Sequence, residues 1–220
     1  MHDKPEDDPG LLYDGPAHAR WSLLLAHGAG QGMDSPFMET VAQAAGRAGL
    51  RVVRFEFPYM TRMRLSGQRR PPDREPILRS RWNEVIDRVL ADGMASGRLL
   101  IGGKSMGGRM ASLIADEREA AGLICLGYPF HPPGKPDQLR VEHLTDLRTP
   151  ALICQGTRDP FGNRREVGGY PLSQSIRLAW IEDGEHSLKP GKQSGRTWEQ
   201  NLEQAAAAIV SFAASLKTRA

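Results

Sequence analysis

The chain has 220 residues, of which 40% are hydrophobic and 25% charged, with a formal net charge of +3 and an isoelectric point near 9.0. This composition excludes disordered and fibrous proteins, and the length fits one domain, which we predict over residues 1–220 with residues 1–16 as a poorly ordered or peripheral segment. The apolar runs are shorter than a membrane span, and residues 1–8 lack the basic-then-apolar order of a signal peptide. We therefore expect a cytoplasmic protein without membrane association.

Apolar runs alternate along the chain with patterns typical of amphipathic helices. The predicted strands cover residues 22–27, 51–57, 98–102, 121–127, 151–155 and 176–181, and the predicted helices cover residues 36–48, 77–90 and 197–216. Ser35 followed by Pro36 is a typical helix start. Two segments after strands, 58–76 and 128–150, are predicted to be long loops. This alternation predicts an α/β fold with a mostly parallel sheet and helices on both faces.

The segment Gly103-Lys104-Ser105-Met106-Gly107 lies between an apolar run and a sequence that can form a helix. A G-x-S-x-G pattern at a strand-to-helix turn is typical of the nucleophile elbow of serine hydrolases. The glycines allow a sharp turn without side-chain collisions, so that the serine Oγ stands clear of the sheet edge. Because a helix starts at the turn, the N–H of Met106 can stabilise an oxyanion. Ser105 is therefore the predicted nucleophile.

A nucleophilic serine needs a histidine base and an acid that orients the histidine. In this fold the acid and then the histidine follow the serine in the chain, each on a loop after a strand. Asp159 follows the strand predicted to end at Gln155, and His186 follows the strand predicted to end at Ile181. We predict that His186 is the base and Asp159 its acid, with Asp183, on the loop of His186, as the alternative acid.

A second oxyanion donor is expected from the glycine-rich turn 27–32, which follows the first predicted strand. Ala29 or Gly28 would supply this N–H. His27 is predicted to form structural hydrogen bonds rather than to take part in catalysis.

Two cofactor-binding patterns each fail at one position. Arg98 stands where a phosphate-binding loop needs its first glycine, and Met33 stands where a dinucleotide-binding turn needs its third. Cys125 and Cys154 are each isolated in an apolar run, without the paired Cys or His spacing of a metal site or a disulfide framework. We therefore predict no metal site and no cofactor.

Arginines are concentrated in segment 62–81. Because both long loops leave the carboxyl ends of predicted strands, we predict that Arg62, Arg64, Arg140 and Tyr128 form the rim of the site and favour an anionic acyl substrate. The alternative is that these arginines are solvated and affect only solubility. Nucleic-acid binding is not expected, because the segment has neither interleaved aromatic residues nor a recognised binding module.

Six stretches together resemble the α/β-hydrolase family: residues 27–30, 55–59, 103–108, 127–134, 155–162 and 184–186. Within this family they are similar to a predicted-hydrolase branch that includes the testis-expressed protein 30 group and subunit 3 of a histone-acetyltransferase regulatory complex, and more distantly to dienelactone hydrolases. The resemblance implies a minimal α/β-hydrolase fold without a large cap domain, and a Ser105–Asp159–His186 triad. It implies no substrate. Dienelactone hydrolases use cysteine as the nucleophile, whereas this chain has Ser105.

These observations predict a serine hydrolase that cleaves a small ester, thioester or related acyl compound through an acyl-enzyme. The expected partner is that small acyl substrate. The alternative, from a different class, is a binding or scaffold protein with this fold and an idle triad, since a fold alone does not establish activity. The sequence leaves the acyl group, the leaving group and the oligomeric state open.

Overall fold

The computed structural model describes residues 10–217. Its strands, in chain order, are β1 (Leu12–Asp14), β2 (Ser22–Ala26), β3 (Arg51–Phe55), β4 (Leu99–Lys104), β5 (Gly122–Leu126), β6 (Ala151–Gly156) and β7 (Ile176–Ile181). They form one sheet in the order β1-β3-β2-β4-β5-β6-β7, in which β1 is antiparallel to β3 and every other neighbouring pair is parallel. The predicted mostly parallel sheet is confirmed.

The helices, in chain order, are α1 (Pro36–Arg47), α2 (Pro58–Ser66), α3 (Glu75–Ala91), α4 (Met106–Ser112), α5 (Arg164–Val167) and α6 (Trp198–Ser215). Thr197 begins α6 with a capping box, in which its side chain and that of Gln200 accept each other's backbone N–H. Ser35 occupies the N-cap position of α1 without a capping hydrogen bond, so the fixed φ of Pro36 favours this helix start instead. Among residues 10–217, no helix is long and apolar enough to cross a membrane, and no cap domain is inserted.

Helices cover both faces of the sheet. Because strand side chains point alternately to opposite faces, Leu25 of β2 packs with the buried residues of α1 and α6, whereas Leu24 packs with those of α3 and α4. On the second face, Phe55 meets Trp82 of α3 edge-on, with ring centroids 4.7 Å apart. The predicted helices on both faces are confirmed.

The predicted loop 58–76 is wrong at both of its ends. Pro58 begins α2, and Pro76 lies in the first turn of α3. A proline in the first turn of a helix lacks only an N–H that has no helical acceptor, and its fixed φ suits the helix. Tyr59 and Met60 are the buried residues of α2 and form its inner face. Of the arginines in this segment, the two predicted rim residues therefore lie on α2, and the other three lie between α2 and α3.

The start of the described chain forms an edge strand that was not predicted. Strand β1 pairs Leu12 with Arg54 and Asp14 with Val52 of β3. A strand of three residues is too short for an alternating pattern to be recognised in the sequence. Residues 1–9 of the predicted peripheral segment lie outside the described residues.

Candidate active site

The turn after β4 holds Ser105 in a strained backbone conformation. Ser105 has φ 49° and ψ −115°, a combination that residues with side chains rarely adopt. Close packing requires the flanking glycines, because a Cβ on Gly103 would lie 2.4 Å from the carbonyl oxygen of Ala26, and one on Gly107 would lie 2.6 Å from the same oxygen. Helix α4 therefore starts directly after the serine and holds it at the carboxyl edge of the sheet.

Ser105, His186 and Asp159 form a continuous hydrogen-bonded chain. Nε2 of His186 lies 2.8 Å from Oγ of Ser105, and Nδ1 of His186 lies 2.9 Å from Oδ2 and 3.1 Å from Oδ1 of Asp159. An ionised carboxylate only accepts hydrogen bonds, so Nδ1 carries the proton and Nε2 accepts the serine hydroxyl. Ser105 follows β4, Asp159 follows β6 and His186 follows β7. The carboxyl ends of these parallel strands lie at the same edge of the sheet.

Gln155 holds Asp159 in place. Asp159 is fully buried, and its carboxylate accepts Nε2 of Gln155 at 3.0 Å and the N–H of Phe161 at 2.8 Å. Oε1 of Gln155 accepts the N–H of Tyr128 at 2.7 Å, which ties the loop after β6 to the loop after β5. Gln155 is absent from the predicted site. The signal that could have identified it is an amide at the end of an apolar strand, since a buried amide needs hydrogen-bond partners.

The alternative acid, Asp183, is engaged elsewhere. Its Oδ2 accepts the N–H of Gly191 at 2.8 Å, and its carboxylate forms an ion pair with Arg158. The hydrogen bond from Gly191 is the main cause of the lowered pKa of Asp183. The geometry therefore favours Asp159 as the partner of His186.

The turn after β2 is fixed through its carbonyl groups. The hydroxyl of Tyr59 donates to the carbonyl oxygens of Gly28 at 3.2 Å and Ala29 at 3.1 Å. Nδ1 of His27 also donates to the Gly28 carbonyl, at 2.7 Å. In a trans peptide the C=O and the following N–H point in opposite directions, so the N–H of Ala29 points away from these donors. Of the two predicted donors in this turn, the geometry favours Ala29, with Met106 as the donor from the first turn of α4.

His27 forms structural hydrogen bonds between two strand ends. It is fully buried, and its Nε2 accepts the N–H of Phe57, which follows β3, at 3.1 Å. That bond leaves Nδ1 as the donor to Gly28. Burial is the main cause of its lowered pKa, which keeps the imidazole neutral.

Lys104 is a buried cation next to Ser105, and the sequence-based prediction of the site did not include it. Its Nζ donates to the carbonyl oxygen of His186 at 2.7 Å, lies 5.4 Å from the ring centre of Phe37, and forms no ion pair with a carboxylate of residues 10–217. Burial lowers its pKa to about 8, although the negative charges of Asp159 and Glu185 act to raise it. The pKa of His186 is lowered as well, first by its own burial and then by the Lys104 charge.

Ser105 opens into a cleft of about 830 Å³. We divide part of its lining into two walls, because some lining residues pack with the core of α1 and α6 and others with that of α3 and α4. The α1/α6 wall consists of Phe37, Met38, Ser187, Lys189 and Trp198. The α3/α4 wall consists of Asp73, Glu75, Leu78, Arg109, Met110 and Arg140. Nowhere in residues 10–217 do three or more His, Cys, Asp or Glu side chains form a group that could hold a metal ion.

Two predicted rim arginines are not among the described residues that line this cleft. Arg62 forms an ion pair with Asp73. Arg64 pairs with Asp34 at 2.8 Å and with the buried carboxylate of Glu56. Both guanidinium groups therefore hold α2 to its neighbours.

The other two rim residues lie at the cleft together but differ in exposure. Arg140 lines the cleft. Tyr128 is fully buried beneath it, and its hydroxyl donates to the backbone carbonyl of Arg140 at 2.9 Å. Tyr128 therefore positions Arg140 rather than meeting a ligand directly. Substrate binding by Arg140 stays a prediction.

Solved structures share this fold at low sequence identity. An alpha-beta serine hydrolase homologue from Coxiella burnetii has a TM-score of 0.69 and 18% identity, covering 91% of this chain and 89% of that one. An α/β serine hydrolase without a lid from Xanthomonas campestris has a TM-score of 0.65 and 20% identity, covering 92% of both chains. Dienelactone hydrolase from Anabaena variabilis has a TM-score of 0.67 and 22% identity, covering 92% of this chain and 89% of that one.

These likenesses concern the fold alone, whereas a family model matches the sequence itself. The model of the alpha/beta hydrolase domain matches residues 19–214. This range includes strands β2 to β7 and all three residues of the hydrogen-bonded chain. The chain belongs to the alpha/beta hydrolase domain family.

Proposed function

We propose that this protein is a serine hydrolase that cleaves a small ester, thioester or related acyl compound through an acyl-enzyme. The observation that carries the proposal is the hydrogen-bonded chain Ser105–His186–Asp159 at a strained turn that opens into a cleft. A serine on a strained turn at a cleft, with a base and a buried acid, is the arrangement that activates a hydroxyl for acyl transfer.

In the first half-reaction, Oγ of Ser105 attacks the carbonyl carbon while its proton passes to Nε2 of His186. Asp159 stays ionised and stabilises the imidazolium that forms. The negative charge on the carbonyl oxygen is stabilised by the N–H groups of Met106 and Ala29. When the tetrahedral intermediate collapses, the bond to the leaving group breaks, His186 protonates that group, and the acyl group remains on Ser105.

In the second half-reaction, a water molecule gives a proton to His186 and attacks the acyl carbon. Collapse of this second intermediate returns the proton to Ser105 and releases the carboxylic acid. No step requires a metal or a cofactor. The open cleft without an inserted cap favours small substrates over long lipid chains.

A fluorophosphonate probe tests the proposal, because only an activated serine reacts with it. We expect labelling of the intact protein on the peptide that contains Ser105, and hydrolysis within a series of p-nitrophenyl esters and thioesters of graded acyl length. Absence of both labelling and hydrolysis would support the alternative, a binding or scaffold protein with an idle triad.

We extend the proposal to the branch that the six sequence stretches resemble, the testis-expressed protein 30 group and its histone-acetyltransferase complex relatives. Because Ser105 stands where dienelactone hydrolases have cysteine, we do not expect dienelactone hydrolysis. The cytoplasmic location also stays a prediction, which cell fractionation would test.

A further inference from the structure

The α3/α4 wall carries more positive charge than its carboxylates balance. Arg109 contacts Glu75 at 3.5 Å, and Glu75 is shared with Arg79 at 3.9 Å. Arg140 forms no ion pair with a carboxylate of residues 10–217, and the remaining acid of this wall, Asp73, is paired with a residue outside the cleft. On this wall, Arg109 and Arg140 therefore have only the carboxylate of Glu75 to balance their two positive charges. A single added negative charge would make the wall neutral.

Neither guanidinium is saturated with hydrogen bonds. The Nε–H of Arg109 is buried and has no acceptor within the described residues. The backbone of Arg140 is fixed on both sides, because its N–H donates to Phe130 at 2.7 Å and its carbonyl accepts from Tyr128 at 2.9 Å. Its side chain forms no hydrogen bond within residues 10–217. The protein thus fixes the position of a cation and leaves its charged end available.

The distance to the nucleophile suits one substrate molecule. Arg109 follows Ser105 by four residues on α4, so their Cα atoms are about 6 Å apart, one helical turn. Leu78 and Met110 line the same wall, and apolar side chains of this kind accommodate methylene groups. A short aliphatic chain can therefore run from a carbonyl at Ser105 to the arginines.

The base indicates which part of the substrate faces this wall. His186 protonates the leaving group, so the leaving group must lie against the histidine loop. Ser187 and Lys189 of that loop belong to the α1/α6 wall, and Nε1 of Trp198 fastens the loop to α6 by donating to the carbonyl of Ser187 at 2.8 Å. The acyl part of the substrate must therefore lie against the opposite wall, the α3/α4 wall.

We propose that Arg109 and Arg140 bind a terminal carboxylate on the acyl chain, so that the substrates are short half-esters or half-thioesters of dicarboxylic acids. This inference rests on the proposed function, because it assigns the acyl specificity of the same site. A planar guanidinium pairs with a carboxylate through two parallel hydrogen bonds, which gives orientation as well as affinity.

Matched esters test the charge preference. We would measure kcat/KM for mono-p-nitrophenyl adipate and for p-nitrophenyl hexanoate, which differ in the terminal carboxylate. Wild type should prefer the adipate ester by about tenfold or more, and Arg109→Met or Arg140→Met should each reduce that ratio towards one. Arg47→Met, which removes an exposed arginine at the end of α1 that does not line the cleft, is the matched control and should keep the wild-type ratio.

Binding to Ser105→Ala separates this inference from the proposed function. Calorimetry should show tighter binding of the adipate ester than of the hexanoate ester, and the difference should disappear when Arg140→Met is added. If wild type hydrolyses neither ester but Ser105→Ala keeps that binding preference, the proposed function fails and the carboxylate site stands.

Three outcomes would overturn the carboxylate site. The first is equal binding and equal kcat/KM for the two esters. The second is a preference that survives both arginine substitutions in the cleft, or that Arg47→Met removes to the same extent. The third is a stronger preference for 4-carboxyphenyl hexanoate, in which the charge lies on the leaving group.

Discussion

Two serine–histidine pairs in this chain have the same separation but different surroundings. Oγ and Nε2 lie 2.8 Å apart both in Ser105–His186 and in Ser112–His143. The first pair opens into the cleft and has a buried carboxylate on the second ring nitrogen. In the second pair, Ser112 is buried and donates its hydroxyl to the carbonyl of Arg109 at 2.7 Å. No carboxylate of residues 10–217 is hydrogen-bonded to His143.

The difference is the direction of the proton. A serine inside a helix that donates to a preceding carbonyl has no proton left for a base, so the imidazole must donate to it. Burial, and then the Arg109 charge, lower the pKa of His143 to about 4, so that it is neutral and serves as a structural donor. Short distance alone therefore does not identify a nucleophile. The acid partner and the strained turn at the cleft distinguish the first pair.

The largest expected effect separates the two serines. Ser105→Ala should lower kcat/KM by about a thousandfold or more, since members of a triad act as a unit. Ser112→Ala should change it by only a few-fold, and both variants should keep the wild-type circular dichroism spectrum. Probe labelling that survives Ser105→Ala, or an equal loss in Ser112→Ala, would contradict the assignment of the nucleophile.

The acid gives the next largest effect. Asp159→Asn should lower kcat by about a thousandfold, because an amide can donate to Nδ1 and stabilise the wrong imidazole tautomer. Asp183→Asn is the matched control on the loop of His186, and it should leave kcat within a few-fold of wild type. If Asp183→Asn proved the more damaging of the two in a folded protein, Asp159 would not be the acid.

The three residues of the hydrogen-bonded chain were predictable because local patterns fix them. Ser105 lies between glycines that only a tight turn requires, and the polar residues Asp159 and His186 each follow an apolar strand. The carboxyl ends of parallel strands meet at one edge, so chain order suffices to bring the three together. The strand alternation that predicts the sheet is likewise local.

The supporting residues were not predictable, because their roles depend on partners distant in the chain. Lys104 reaches the carbonyl of His186, which is 82 residues later, and its sequence context is that of any lysine at a strand end. Tyr59 reaches the turn at Gly28 from a helix that the sequence had assigned to a loop. The prolines of 58–76 are compatible with a loop or a helix start, and only the packing of α2 decides between them.

The third effect concerns Tyr59, which acts through the turn that carries Ala29. Tyr59→Phe should lower kcat by about tenfold with little change in KM, because the oxyanion donor would be less well fixed while substrate contacts remain. Tyr13→Phe, on the exposed edge strand β1, is the control and should have no effect. A change in KM alone, or an equal loss in both variants, would mean that Tyr59 has only a structural role.

The smallest expected effect is a shift in pH dependence caused by Lys104. The base must be neutral, and the pKa of His186 is lowered from 6.5, so the acid limb of kcat/KM should have its midpoint below pH 6.5. Lys104→Met removes a positive charge that contributes to this lowering. The midpoint should therefore move to higher pH, and the shift should be partial because burial of His186 is the larger cause of the lowering. Lys189→Met, at the α1/α6 wall, should shift it less.

Stability gives a second measurement of the same residue, with a defined sign. Because burial lowers the pKa of Lys104 from 10.5 to about 8, the unfolded chain binds more protons than the folded chain between these two values. The free energy of unfolding of wild type should therefore rise relative to that of Lys104→Met as the pH increases from about 8 to 10.5, and the difference should be constant below pH 8. Urea unfolding of both proteins across this range tests it. A constant difference throughout, together with an unmoved acid limb, would show that Lys104 is solvated and does not act on His186.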